Sequence, residues 1–166
     1  MLRRVAAADE PILIAFDGSG ASRTAIAQAA TLLGPRRVLV ATVWEPGLAY
    51  AAPEMRGDGL AAIPIDPELA RRIDQDVHAH ADRVAREGAE LATSLGLRAD
   101  PVAVPEERNV PETIVQLARE HGAAGIVVGS RGLSGLRARV EGSTTKGLLK
   151  LASCPVIVVH EPHEDD

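Results

Sequence analysis

Aromatic side chains are almost missing from this chain: one Phe, one Trp and one Tyr make up 2% of 166 residues. A hydrophobic interior must therefore be built from Ala, Val, Leu and Ile, through many small contacts instead of a few large rings. Cysteine is represented only by Cys154, which excludes an internal disulfide and fits a reducing compartment, so a cytoplasmic location is expected. No apolar run approaches the roughly 18 residues of a membrane-spanning helix. The opening MLRRVAAADEP carries two arginines with no hydrophobic segment behind them, unlike a signal peptide, so no membrane association is expected. Basic residues are outnumbered, 18 against 23 acidic, and a net charge of −5 speaks against a general nucleic-acid binder.

What is present is an alternation of strand-like and helix-like segments. PILIAF (Pro11–Phe16) is a short apolar strand ended by DGSG; a helix follows over Ser22–Leu33, capped by Ser19 or Ser22 and stopped at Gly34-Pro35. RVLVATVW (Arg37–Trp44) is a second strand. Glu45–Asp66 is rich in proline and glycine and has no clear period, which reads as a long, mobile loop. Apolar residues then recur at helical spacing from Pro67 to Leu95. Leu97–Pro105 is a third strand whose Pro101 belongs at a sheet edge. Pro111–Gly122 is a helix, AGIVVG a fourth strand, STTKGLLKLAS a helix and PVIVVH a fifth strand. The pattern β-α-β-α-β-α-β-α-β predicts one α/β domain over residues 1–166, with a core at about 11–160 and helices on both faces of a parallel sheet.

In such sheets a ligand sits beyond the carboxyl ends of the strands, where strand order reverses. The fourth strand runs into GSRGLSGLRARVEGSTTK. Gly129 and Gly132 permit positive φ and let main-chain N–H groups approach an anion. Gly142, Ser143 and Thr144 open the last helix, where unpaired N–H groups and the helix dipole favour phosphate. Arg131, Arg137 and Arg139 against Glu141 leave the segment basic within an acidic chain. Taken by themselves, these residues fit either a phosphate site or an ordinary flexible turn before a capped helix.

The spacing Gly129-x2-Gly132-x9-Gly142-Ser143 resembles the nucleotide-binding signature of the universal stress protein family, in its ATP-binding branch. ILIAFDGS resembles that family's first strand with its aspartate, IVVGSRG its fourth strand, and LLKLASCPVIVV its closing helix and strand; together these cover about Pro11–Val159. The resemblance implies a Rossmann-like five-stranded parallel sheet of order 3-2-1-4-5, in a homodimer, with ATP at the ends of strands one and four. By position, Asp17 would contact the ribose or a bridging Mg2+ or Mn2+, and Val43 would offer main-chain groups to adenine. Gly129 and Gly132 would line the phosphate path, and Gly142, Ser143 and Thr144 would hold the triphosphate. Two features depart from the family pattern. The Glu45–Asp66 loop is longer than the family needs, and Asn109-Val110-Pro111 stands where many members carry Gly-Asp-Pro, which shifts the start of the third helix.

The implied function is an ATP-binding regulatory module in stress response; the alternatives are a slow ATPase and a structural homodimer with a vestigial site. Related ligases and nucleotidyltransferases would carry Ser-Gly-Gly-x-Asp-Ser or His-x-Gly-His, and neither is present; no lysine follows a Gly-x4-Gly. No residue is marked as a general base, so hydrolysis is expected to be slow at most. The final strand, Val156–Val159, has neither charge nor proline to protect an edge, and a homodimer is expected to pair through it. Of the remaining residues, His78 and His80 lie two apart on a helix and face different directions. His160 and His163 belong to an acidic solvated tail, Cys154 reads as a small buried hydrophobe, and Trp44 packs either near the adenine pocket or in the core.

Overall fold

A computed structural model of the chain describes residues 10–47, 66–130 and 142–160. Gly132 and nearly all of the Glu45–Asp66 loop lie outside the described residues. Nine elements alternate through the described segments: β1 (Ile12–Ala15), α1 (Gly20–Leu33), β2 (Arg37–Trp44), α2 (Pro67–Ser94), β3 (Arg98–Pro105), α3 (Val110–Glu120), β4 (Gly125–Gly129), α4 (Ser143–Leu151) and β5 (Val156–Val159). The strands form one parallel sheet of order β3-β2-β1-β4-β5, as the family resemblance implies. No helix among the described residues is long and apolar enough to cross a membrane.

Each face of the sheet has its own core, because successive side chains of a strand point to opposite sides. Ile12, Ile14, Val38, Val40 and Val127 pack against Ile26, Ala29, Ala89 and Ala92 of α1 and α2. Leu13, Ala41, Ile126 and Val128 pack against Ile114, Val115, Leu117 and Leu148 of α3 and α4. Local chemistry sets the helix starts. The Ser19 hydroxyl accepts from the Ser22 N–H at 3.2 Å, so α1 begins at Gly20, two residues before the predicted start. Ser22 does not cap; its hydroxyl donates to the Ser19 carbonyl. Asn109 caps α3 reciprocally, accepting from the Glu112 N–H at 2.9 Å and donating to the Glu112 carboxylate at 2.7 Å.

Alanine-rich helices can lie close to the sheet, and Gly88 of α2 marks the tightest approach on that face. A Cβ there would fall 2.6 Å from Phe16 Cδ1 and 2.8 Å from Val40 Cγ1. Gly88→Ala gains roughly 1 kcal/mol of helix propensity, but overpacking costs about 1–3 kcal/mol. A net loss is expected, visible in thermal denaturation as a fall of a few degrees.

The two sheet edges differ in chemistry. The Arg98 and Glu106 N–H groups donate to the carbonyls of Arg36 and Trp44, so the even-numbered residues of β3 face β2. Ala99, Pro101, Ala103 and Pro105 face outward, and two of these four have no N–H to offer. At the other edge the Ile126 and Ser130 N–H groups donate to the carbonyls of Pro155 and Val159. Residues 155, 157 and 159 therefore face β4, which leaves Val156 and Val158 facing outward with donors and acceptors intact.

Candidate functional site

β1 and β2 separate at their carboxyl ends, and the gap between them is where the chemistry collects. The Phe16 N–H makes the last ladder bond, to the Ala41 carbonyl at 2.8 Å. The Phe16 carbonyl is then taken by the buried Thr42 hydroxyl at 2.9 Å. By ladder alternation the N–H and C=O of Val43 point the same way as those of Ala41, towards a β1 strand that has already ended. Past Phe16, Asp17 Oδ1 accepts from the Ser19 N–H at 3.0 Å. Gly18 makes the turn at φ 79°, a conformation that a side chain would strain.

β4 and α4 form the opposite side. The first turn of α4 is held to β4 by the buried Thr145 hydroxyl, which donates to the Gly129 carbonyl at 3.2 Å, and by the Gly142 N–H, which donates to the Ser130 carbonyl at 3.2 Å. At α1, α2 and α3 a Ser, Asp or Asn side chain covers the helix N-terminus. The N-cap of α4 is Gly142, which has no side chain to do this. The positive end of the α4 dipole and its first-turn N–H groups thus face the gap without a capping oxygen.

Asp17, Val43, Gly129, Gly142, Ser143 and Thr144 all line one cavity of about 310 Å³ at the carboxyl end of the sheet. Its floor and one wall are apolar, from Ala15, Ala41, Val128, Val110 and Ile114. The α3 residues Val110 and Ile114 were not predicted for the site. Their one signal in the sequence is the unusual Asn109-Val110-Pro111 at the start of α3. Gly129 does not adopt the positive φ expected of it. Glycine is needed there because a Cβ would sit 2.8 Å from the backbone C and O of Ala21, where α1 crosses β4. Gly142 is different: among the described residues a Cβ there meets only the Ser130 carbonyl at 3.7 Å, an ordinary contact.

The other singled-out residues lie apart from this cavity. The Trp44 ring stacks on His78 of α2, with centroids 5.2 Å apart and planes 24° from parallel, so it does not line the cavity. His80 turns instead towards Arg83. Cys154 is only partly buried, not the fully buried hydrophobe expected; what burial it has pushes the thiol above its ordinary pKa, outweighing a backbone hydrogen bond and the Arg119 charge. Among the described residues no three or more His, Cys, Asp or Glu side chains converge into a metal-binding group.

The sequence pattern of the universal stress protein family matches residues 10–160. The universal stress protein YxiE of Bacillus subtilis is 28% identical over 148 residues, which cover 89% of this chain and 97% of that one. A universal stress protein of Thermus aquaticus is 29% identical over 150 residues, covering 89% and 96%. Among solved structures, UspA of Lactobacillus plantarum superposes with a TM-score of 0.66 at 21% identity, covering 93% of this chain and 99% of its own. Family members with bound nucleotide share the fold at lower scores. One from Archaeoglobus fulgidus in complex with dAMP gives 0.54 at 22% identity, covering 92% and 98%. One from Arabidopsis thaliana with AMP bound gives 0.58 at 16%, covering 93% and 94%. A universal stress protein in complex with cAMP also gives 0.58, at 22%, covering 93% and 98%.

Proposed function

This chain belongs to the universal stress protein family, and on that premise we propose that it is a cytoplasmic ATP-binding regulatory module of the stress response. The observation that carries the reading is the convergence of Asp17, Val43, Gly129, Gly142, Ser143 and Thr144 on one cavity. Its volume of about 310 Å³ is at the lower end of the roughly 300–1,000 Å³ range typical of ligand pockets. Its two ends differ in the sense a nucleotide requires. The apolar end, with the outward main chain of Val43, suits a purine. The polar end, with the uncapped α4 N-terminus and the Ser143 and Thr144 hydroxyls, suits phosphate oxygens. Relatives of this fold in complex with AMP, dAMP and cAMP support an adenine nucleotide as the ligand class.

Asp17 takes the ribose hydroxyls or a Mg2+ or Mn2+ ion that arrives with the phosphates, since a carboxylate oxygen suits such hard cations. The phosphates and water would complete the ion's shell. Gly132, outside the described residues, is assigned to the phosphate path on the family signature alone. Asp17 is the only carboxylate among the described cavity residues, and its Oδ1 already accepts the Ser19 N–H. With Asp17 assigned to ribose or cation, none of the described cavity residues is left to activate water, and hydrolysis is expected to be slow at most. The module works as a homodimer joined through β5.

Native mass spectrometry of the purified protein should find co-purified adenine nucleotide, and calorimetry should find saturable Mg·ATP binding. Asp17→Asn keeps an oxygen acceptor for Ser19 while removing the charge. It should weaken Mg·ATP binding by about 10- to 100-fold, in line with 1.5–3 kcal/mol for a charged hydrogen bond, and AMP binding without metal by much less. Equal Mg·ATP affinity in variant and wild type would take Asp17 out of the cation's shell. A wild type that binds no adenine nucleotide would end the reading.

A further inference from the structure

The helices that wall the cavity from two sides, α3 and α4, meet at a contact that leaves no room. Gly147 lies in the second turn of α4 and faces Pro111 at the start of α3. A Cβ at position 147 would fall 2.4 Å from Pro111 Cγ and 2.6 Å from Pro111 Cβ. Gly147 does not have a positive φ, and glycine is a poor residue for a helix interior compared with alanine. The close approach of the proline ring is what makes glycine the fitting residue.

Neither side of this contact yields easily. The proline ring is rigid, and the first turn of α3 is fixed by the reciprocal Asn109–Glu112 cap and by the Glu107 N–H donating to the Thr113 hydroxyl. α4 is fixed to β4 through Thr145. On α3, Val110 and Ile114 flank Pro111 and line the cavity; on α4, Ser143 and Thr144 precede Gly147 and line it too. We infer that the Pro111–Gly147 contact sets the spacing between the apolar wall and the phosphate-facing wall, so that Gly147 is a positioning residue for the nucleotide. The inference rests on the proposed adenine-nucleotide function. A methyl group at 147 must push the first turn of α3 outward, taking the contact from 2.4 Å to beyond 3.0 Å. A gap of about 0.5–1 Å forfeits roughly a quarter to a half of the dispersion contact between a wall and its ligand.

Calorimetry with Mg·ATP tests this on the full chain. Gly147→Ala should bind about 5-fold more weakly than wild type through the lost wall contact. The swap Gly147→Ala with Pro111→Gly returns the space and should restore affinity to within about twofold, the two changes being coupled and not additive. Thermal stability should not recover with it, because glycine replaces proline at the helix start; a merely structural role would move affinity and stability together. If Gly147→Ala alone does not fold, Pro111→Ala, which removes Cγ, the ring atom nearest Gly147, should weaken binding while the fold persists. Wild-type affinity in whichever single variant folds, or a swap that folds and binds as weakly as Gly147→Ala, would overturn the inference alone. A wild type that binds no adenine nucleotide would overturn both this inference and the function on which it rests.

Discussion

Gly129→Ala is expected to lower the melting temperature by roughly 6–12 °C, the shift that about 3 kcal/mol produces in a chain of this length. The estimate takes the upper end of the overpacking range, about 1–3 kcal/mol, because the new Cβ would lie 2.8 Å from the backbone C and O of Ala21. At Gly88 the crowding atoms belong to side chains, which can turn aside. At Gly129 the crowding atoms belong to the first turn of α1, tied at its start by the Ser19 cap and closely packed on β4. α1 must lift or β4 must sink, and either movement disturbs a strand that is fully buried. Gly142→Ala is the informative counterpart. Among the described residues a Cβ there has room, with the Ser130 carbonyl at 3.7 Å, so the melting temperature should stay within about 2 °C, the effect of roughly 0.5 kcal/mol for a substitution without a packing clash. Differential scanning calorimetry of the two variants, without nucleotide, separates a glycine kept for packing from one kept at a helix N-terminus. Equal stabilities would refute the assignment of Gly129 to the α1–β4 crossing.

Val158→Pro is expected to convert a dimer into a monomer at micromolar concentration while the fold stays intact. Val158 faces away from β4 in the register fixed by the Ile126 and Ser130 bonds, so proline there deletes no bond of the sheet itself. Across a two-fold axis the lost donor is counted twice, and the ring obstructs close pairing of the strands. A loss of roughly 3 kcal/mol, from two bonds at up to about 1.5 kcal/mol each, corresponds to a dissociation constant about 100-fold higher. Ile157→Pro would instead remove a donor facing β4 and damage the sheet, so the two variants should differ in circular dichroism as well as in mass. The opposite edge explains why association should stop at two copies: Pro101 and Pro105 occupy outward positions of β3, so growth from that edge lacks half its donors. Sedimentation equilibrium decides the matter. A wild type that stays monomeric, or a Val158→Pro variant that remains a dimer, would refute pairing through β5.

Element order and fold class were readable because their signals are local. Ile12–Ala15, Val38–Ala41 and Ile126–Val128 are short apolar runs whose burial matches their pattern. Helical spacing also located α2, although the residues it buries are small ones, Ala70, Ala81, Ala85, Gly88, Ala89 and Ala92, while the large Leu69 and Leu95 stay exposed. The caps at Ser19 and Asn109 are likewise decided within four residues, although choosing between Ser19 and Ser22 needed the geometry of the turn. Gly142, Ser143 and Thr144 could be named from their place at a helix start, a property of sequence, whereas Asp17 was named through the resemblance of ILIAFDGS to the family's first strand.

What the sequence determined alone was therefore which segments are strands and helices, that the sheet is parallel, and where chemistry gathers along the chain. Tertiary structure decided everything that depends on how closely two distant segments approach. Gly129 and Gly147 look alike in sequence to any loop or helix glycine, yet one is fixed by α1 and the other by Pro111. Val110 and Ile114 join the cavity only because α3 crosses back over the same face as α4. The outward parity of Val158, Pro101 and Pro105 follows from strand register, which no single strand contains. Distances between elements arise from packing, and packing is a relation between residues far apart in the chain.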